Sequence, residues 1–212
     1  MELLLSEALD DSVEVTSGGT YGMPSWPVSP PMAELLLADT PSIRISDPAV
    51  EEAVSADVPP PVRPETTENS PAVEPVVAPG KTSFVQKVEN FRSQRLTEQM
   101  VNEADLILTA TGGHRGEVLN LSPLALKRTM SLGELARLAQ AVDPATWANA
   151  TTDAERLNAL IPAAIAARHP NPAGPEADDI IDPYRRSAQT YQLSHHQIKT
   201  HIQNLTNALH GQ

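Results

Sequence analysis

The sequence predicts an α/β fold in which helices cover a parallel sheet on both faces. Two observations carry this prediction. Short apolar runs suited to strands alternate with longer segments whose apolar residues recur every three or four positions, which is the spacing of a helix. Glycine and proline separate these segments. With 212 residues, 40% of them hydrophobic, the chain is long enough to form one packed domain with additional material.

Two segments are predicted as strands. Residues 12–16 (SVEVT) alternate polar and apolar side chains, which predicts a half-buried strand. Residues 106–108 (LIL) form a short apolar run that ends at Thr109, and its length and flanks predict a buried parallel strand.

Helices are predicted on both sides of these strands. The clearest is the last, whose apolar stripe ends at Gly211. Its stripe residues are Tyr191, His195, Ile198, Ile202, Leu205 and Leu209. The other predicted helices begin at Leu3, Pro30, Thr97, His114, Ser122, Ser131 and Thr152. In the last two, a glutamate three residues after the capping residue predicts a capping box.

The chain divides into three predicted regions: the N-terminal part of the domain, residues 1–45; an insert, residues 46–82; and the C-terminal part, residues 83–212. The insert is acidic and rich in proline, so it is predicted to be disordered. Its PPPVRP run, residues 59–64, favours a polyproline II helix. Two interpretations stay open for the insert, a flexible linker and a ligand for a proline-recognising partner.

The composition excludes several classes of function. A net charge of −12 opposes binding to nucleic acid and to anionic membranes. The absence of cysteine excludes disulfides, thiolate metal ligands and a thiol nucleophile among these residues. No metal or other cofactor is expected. The first five residues lack the basic start of a signal peptide, and we expect a cytoplasmic protein.

Five segments carry a resemblance to a known family. They are residues 12–20 (SVEVTSGGT), 91–97 (FRSQRLT), 104–118 (ADLILTATGGHRGEV), 128–137 and 179–191, the last containing Asp182-Pro183-Tyr184. In this order and spacing they resemble the low-molecular-weight protein-tyrosine phosphatases. The chain departs from the family at Gly18, where alanine is usual, and at Ala110, where methionine is usual.

The resemblance implies a doubly wound, four-stranded parallel sheet of strand order 2-1-3-4. It also implies that the first strand and its C-x5-R phosphate loop are missing from this chain. The missing strand would lie at the centre of the sheet, between the strands at 12–16 and 106–108. Each buried backbone group left unpaired there would cost about 1–3 kcal/mol. We therefore expect the true reading frame to start upstream of Met1 and to supply the cysteine loop.

The resemblance also implies roles for several residues. Asp182 would be the general acid that protonates the leaving oxygen. Tyr184 would be an aromatic wall for a phosphotyrosine ring. Either Tyr21 or Trp26 would be the opposing wall, although an aromatic that merely packs its own loop is an equal alternative for both. Arg185 or the adjacent Arg186 would face the anionic substrate, and Arg185 lies where the family can have a second aromatic residue. Two hydroxyl residues, Ser17 and Thr20, would support the phosphate loop without touching substrate.

Other polar clusters have simpler interpretations. Asp178 and Asp179 are predicted to be solvated loop charges, the alternative being a metal or shared-proton site. The Thr111–Gly116 turn is predicted to be an ordinary strand-to-helix turn, with phosphate binding as the alternative. The histidines of the last helix are predicted to lie on its surface or flanks, because their spacing does not favour a metal site.

Two functions from different classes remain. The first is a phosphatase whose complete form hydrolyses phosphotyrosine through a phosphocysteine intermediate, the chain as given being inactive. The second is a pseudophosphatase, a non-catalytic module that binds a protein partner. The DNA upstream of Met1 distinguishes them, because an in-frame C-x5-R segment favours the enzyme and an immediate stop codon favours the binding module.

Overall fold

The computed structural model describes residues 1–21, 24–39, 83–169, 173 and 177–211. All of them belong to one compact unit formed by Met1–Thr40 and Ser83–Gln212. The predicted insert at 46–82, with its proline-rich run and its proline-recognising partner, lies outside the described residues.

The unit is mostly helical around a small parallel sheet. Its α-helices are α1 (Glu2–Ala8), α2 (Pro30–Ala38), α3 (Phe84–Asn90), α4 (Glu98–Glu103), α5 (Gly112–Leu121), α6 (Leu132–Ala141), α7 (Asp153–Ala167) and α8 (Ala188–His210). Two 3-10 helices span Pro123–Arg128 and Pro144–Trp147. The strands are β1 (Ile107–Thr109) and β2 (Thr129–Ser131).

The sheet of the described residues has two strands, β1 and β2, which run parallel in the register Ile107 to Thr129 and Thr109 to Ser131. The parallel strand predicted at 106–108 is therefore confirmed, one residue later than its apolar run. Sequence patterning missed β2, because only three residues separate a 3-10 helix from α6. The α/β class with a parallel sheet is confirmed, whereas a four-stranded sheet is not observed in the part of the chain described.

At residues 12–16 the predicted burial pattern was right, but the prediction of a strand was wrong. Val13 and Val15 are half-buried while Ser12, Glu14 and Thr16 are exposed, as period-two alternation predicts. The segment nevertheless forms no strand, because no neighbouring strand among the described residues supplies hydrogen bonds along it. A strand requires a partner, and alternation shows only which side chains face the core.

Helix starts follow the predicted capping chemistry. Thr97 accepts a hydrogen bond from Met100 N–H at 3.2 Å, and Thr152 and Glu155 form a reciprocal capping box. Only half of the box predicted at Ser131 forms. Ser131 Oγ accepts from Glu134 N–H at 3.1 Å, but the Glu134 carboxylate pairs with Arg168 at 2.8 Å instead.

The main core lies between α6, α7 and α8. Its buried members include Met130, Leu135, Leu138, Leu160 and Leu205. A second apolar cluster joins α1 and α8 to the residue before the Asp182 loop, Ile180. This burial is the main source of stability, because each fully buried aliphatic side chain contributes about 1.5–3 kcal/mol. No helix in the described ranges is long and apolar enough to cross a membrane.

Candidate functional site

The segment that carries Asp182 is anchored at the carboxyl end of β1. Ile180 N–H donates to the carbonyl of Ala110, the residue after β1, at 2.9 Å. The next amide, of Ile181, donates to Oε1 of Gln197 on α8, also at 2.9 Å. Ligand sites of parallel α/β proteins form at this edge of the sheet, so Asp182 lies at the expected end.

Asp182 itself is exposed to solvent. Its Oδ1 accepts a hydrogen bond at 2.9 Å from the backbone N–H of Tyr184, two residues later, which closes a turn around Pro183. This turn keeps the carboxylate at the surface, where it is accessible to a ligand.

Tyr184 and Arg185 form a pair beside that carboxylate. The Tyr184 ring is 59% exposed, and the Arg185 guanidinium lies 5.1 Å from its centroid, a cation–π contact. Arg185 adopts a left-handed backbone conformation with φ of 58°, which is unfavourable for a residue with a long side chain.

The turn that contains Ser17 and Thr20 lies against the segment preceding α4. Gly19 N–H donates to Gln94 O at 2.8 Å, and its carbonyl accepts from Leu96 N–H at 3.0 Å. A Cβ atom at Gly18 would lie 2.9 Å from Leu96 Cα. Glycine at position 18, where the resembling family has alanine, is therefore required by this close approach.

The Ser17 hydroxyl is directed at the start of α1 and not toward Asp182. Its Oγ donates to the Glu2 carboxylate at the start of α1, and its carbonyl accepts from Gln94 Nε2 at 2.9 Å. Ser17 therefore connects the turn to the first residues of α1, which agrees with a supporting position. Thr20 is half-buried in the same turn.

Tyr21 is 87% exposed, so it does not pack its own loop. The neighbouring carboxylate of Glu117 on α5 raises the pKa of the Tyr21 hydroxyl, through hydrogen bonding and through its negative charge. The ring is thus available to a ligand, whereas its hydroxyl is directed at α5.

The six predicted site residues fall into two groups. Asp182, Tyr184 and Arg185 share one loop; Ser17, Thr20 and Tyr21 share the other. Within the described ranges no hydrogen bond joins the two groups. A largely apolar cavity of about 290 Å³ lies beside Ser17 at the start of α1, but it is not lined by Asp182 or by either tyrosine.

Comparison of the chain with models of known families, with curated proteins and with solved structures gives no match. The likeness to the low-molecular-weight phosphatases therefore rests on the residues quoted above.

Two expectations for the acidic stretch were wrong. Asp178 is not a solvated charge, because both of its oxygens accept from Arg137 of α6, at 2.9 and 2.7 Å. Asp179 Oδ1 accepts from the Gly112 N–H at the start of α5, at 2.8 Å. Each carboxylate thus has a partner within the chain. The Thr111–Gly116 turn directs a backbone donor at one of them.

Two histidines of α8 pair with carboxylates. His195 is buried, in agreement with its place in the apolar stripe and not with a surface position, and its Nε2 lies 3.0 Å from Asp39 Oδ2. His210 is exposed, as predicted, with Nε2 2.8 Å from Asp153 Oδ1. Sequence spacing on α8 could not indicate these contacts, because both carboxylates come from distant parts of the chain. Among the described residues, no group of three or more His, Cys, Asp or Glu side chains could hold a metal ion.

Proposed function

We propose that this chain is the larger part of a low-molecular-weight protein-tyrosine-phosphatase-like enzyme whose nucleophilic loop is encoded upstream of Met1. The observation that carries the proposal is the anchoring of the Asp182 loop at the carboxyl end of β1, through the 2.9 Å hydrogen bond from Ile180 to Ala110. This edge of a parallel sheet is where ligands of α/β proteins bind.

The proposed sheet has four strands in the order 2-1-3-4, with the upstream strand between the 12–16 segment and β1. Two observations support this arrangement. Val13 and Val15 face the same two apolar clusters as Leu106, Leu108 and Ala110, yet their segment has no hydrogen-bonded neighbour among the described strands. A strand inserted there would satisfy the free edge of β1.

In the proposed reaction a cysteine thiolate from the upstream loop attacks phosphorus, and the bond from phosphorus to the tyrosine oxygen breaks. Asp182 gives its proton to that departing oxygen. It then takes a proton from the water that cleaves the phosphocysteine, releasing inorganic phosphate and the free thiolate. The substrate is a phosphotyrosine-containing protein in the cytoplasm.

The exposed aromatic residues support the substrate assignment. Tyr184 lies two residues from the acid and offers an exposed ring for stacking, and Arg185 supplies a positive charge beside it. In the proposed complete site Tyr21 forms a second wall, and Ser17 and Thr20 support the phosphate loop from the turn that contacts the start of α1.

A non-catalytic binding module is the second candidate. Its support is the combination of two exposed tyrosines, 87% and 59% accessible, with a sequence that has no cysteine nucleophile. As a pseudophosphatase the chain would bind a phosphotyrosine peptide without releasing phosphate.

The test compares two forms of the protein. The chain as given should not hydrolyse p-nitrophenyl phosphate; activity that Asp182→Asn abolishes would contradict this. Mass spectrometry of the native protein should find peptides upstream of Met1, and a native N-terminus at Met1 favours the binding module. The chain extended by an in-frame C-x5-R segment should be active.

In the extended form the acid is tested with leaving groups of different basicity. Phenyl phosphate needs protonation of its leaving oxygen far more than p-nitrophenyl phosphate does. Asp182→Asn should therefore lower kcat about 10²- to 10⁴-fold for phenyl phosphate and much less for the nitro compound. Asp105→Asn, at an exposed aspartate distant in sequence from the loop, is the matched control. Equal losses with both substrates would refute the role of Asp182.

A further inference from the structure

The stretch before Asp182 is held against α6 by an ion pair between Asp178 and Arg137, which we call the clamp. Arg137 Nε and Nη2 donate to the two oxygens of Asp178 at 2.9 and 2.7 Å, a bidentate geometry that fixes orientation as well as distance. The hydrogen bond to Asp178 raises the pKa of Arg137 further above its ordinary value. The Asp178 side chain is 18% exposed and that of Arg137 is 34% exposed, so the pair is partly shielded from solvent.

The backbone at Asp178 also lies against α6 more closely than most residues would permit. A Cβ atom on Gly133 would come within 2.5 Å of the Asp178 carbonyl oxygen. The same carbonyl accepts a long hydrogen bond of 3.4 Å from Ser131 Oγ. Glycine in the first turn of α6 therefore makes room for this segment, and Arg137 one turn later holds it there.

The next three residues continue the attachment on other elements. Asp179 caps the start of α5 through Gly112 N–H, Ile180 bonds to Ala110 after β1, and Ile181 bonds to Gln197 of α8. Asp182 follows at once, and its Oδ1 accepts from Tyr184 N–H, inside its own turn. The four anchored residues that precede Asp182 therefore fix its position.

We infer that Arg137 and Asp178 are positioning residues that set the location of Asp182 at the carboxyl end of β1. The catalytic meaning of this inference rests on the proposed function, because Asp182 is the acid only in that proposal. The clamp itself is a property of the chain as given. It acts through three consecutive attachments, one by the Asp179 side chain and two by the backbone amides of Ile180 and Ile181. Neither Arg137 nor Asp178 needs to contact a substrate.

The first test uses the chain as given and measures amide hydrogen exchange. Arg137→Ala and Asp178→Ala should each speed exchange at Ile180 and Ile181 by about five- to tenfold, because the loop opens locally without global unfolding. Val118 and Leu205, buried elsewhere, should not change. Lys87→Ala, which removes an exposed ion pair to Glu7, is the control and should leave the loop unaffected. Unchanged exchange at both loop amides in both variants would overturn the clamp.

Arg137→Lys separates charge from geometry. A lysine keeps the positive charge but cannot form the two parallel hydrogen bonds, so we expect exchange between that of the native chain and that of the alanine variant. Should either alanine variant fail to fold, Asp178→Asn supplies the same measurement with one acceptor oxygen retained. Native exchange in Asp178→Asn at the Ile180 amide would count against the clamp.

The second test uses the extended, active form. Arg137→Ala should lower kcat for phenyl phosphate at least about tenfold more than for p-nitrophenyl phosphate, and should add little in the background of Asp182→Asn. The positioning role is overturned if Asp182→Asn lowers kcat more for phenyl phosphate than for p-nitrophenyl phosphate while Arg137→Ala lowers kcat equally for the two substrates. Absence of the effect in Asp182→Asn itself refutes the acid role, while the exchange measurement still decides the clamp.

Discussion

Asp10 and Asp153 cap each other's backbone. The Asp10 N–H donates to Asp153 Oδ2 at 2.9 Å, and the Asp153 N–H donates to Asp10 Oδ2 at the same distance. This reciprocal pair joins the residues after α1 to the first turn of α7, across a sequence separation of 143 residues. Asp153 also accepts from Arg156 and pairs with His210, so one buried carboxylate connects three parts of the fold.

Replacing Asp153 should be strongly destabilising. Asp153→Ala leaves the Asp10 N–H and the Arg156 and His210 side chains without their acceptor, and we expect a loss of about 2–3 kcal/mol in the free energy of unfolding. Asp105→Ala, at an exposed position, should change it by less than about 0.5 kcal/mol. Urea unfolding is followed by the fluorescence of buried Trp147 in a Trp26→Phe background. Equal stability of the two variants would contradict the role assigned to Asp153.

Stability should decrease as the solution becomes acidic. Burial lowers the pKa of His201 as well as that of His195, so both imidazoles contribute to the loss near neutral pH. Burial lowers the pKa of His195 below its ordinary 6.5, despite the favourable charge of Asp39. Because the unfolded chain then binds the proton more tightly, stability is lost as the pH falls below about 6.5. The charges of Lys199 and His196 add to the lowering of this pKa. His195→Gln should flatten the dependence of unfolding free energy on pH between about 7.5 and 5; an unchanged slope would refute this.

At lower pH Asp153 contributes to the loss of stability, together with Asp10 and Glu155, whose pKa values are also lowered. Burial acts to raise the pKa of Asp153, but the hydrogen bonds from His210, Asp10 N–H and Arg156 outweigh it and hold the pKa below the ordinary 3.8. The stabilisation is therefore complete above that value and lost as the pH falls through the lowered folded value. A thermal unfolding series below about pH 4 should show a steeper decline for the native chain than for Asp153→Asn.

Substitution of glycine by alanine should change the stability of the protein in opposite directions at two positions. Gly133→Ala would place a methyl group 2.5 Å from the Asp178 carbonyl oxygen, and backbone must move to relieve the overlap. We expect a loss of about 1–3 kcal/mol. Gly116 of α5 has no atom within 4 Å of an added Cβ, so Gly116→Ala should stabilise the protein by about 0.5–1 kcal/mol. Denaturant titrations of both variants check the pair, and a stable Gly133→Ala protein would disprove the close approach.

Neighbouring arginines offer a test of backbone strain. Arg185 has a φ of 58°, a conformation that costs a non-glycine residue about 1 kcal/mol. Arg185→Gly should remove most of this strain but also the contact with the Tyr184 ring. We therefore expect the free energy of unfolding to stay the same or to rise slightly. Arg186→Gly at the next, ordinary position should destabilise by about 0.5–1 kcal/mol. The same loss in both variants would contradict the strained conformation at Arg185.

Short-range sequence patterns predicted most of the helices and one strand. They did not predict how many strands pair in the sheet. The helix starts at Thr97 and Thr152 and the end of α8 at Gly211, with its φ of 70°, could be predicted because each depends on residues adjacent in sequence. The helix α3 also begins with a capping box, Ser83 with Gln86, which an S-x-x-Q search would have found. Pairing of residues 12–16 could not be predicted from that segment, because the partner of a strand lies elsewhere in the chain.

The candidate site divides in the same way. Asp182, Tyr184 and Arg185 could be found from one short motif, and Gly18 and Gly133 could be seen only as glycines, without the contacts that require them. The pairing of Asp178 with Arg137 joins residues 41 apart, and nothing in either local sequence indicates the other. From sequence alone the acidic stretch is therefore predicted to be solvated, whereas in the fold α6 packs against it.

The sequence by itself determined most of the helices, one parallel strand, the absence of a thiol and the motif that contains Asp182, because these depend on residue type and short-range spacing. Only the tertiary structure decided that Asp178 and Asp179 serve as anchors, that His195 pairs with Asp39, and that Asp10 and Asp153 bind each other's backbone. Hydrogen bonds and ion pairs between distant segments depend on distances of about 3 Å, and packing sets those distances.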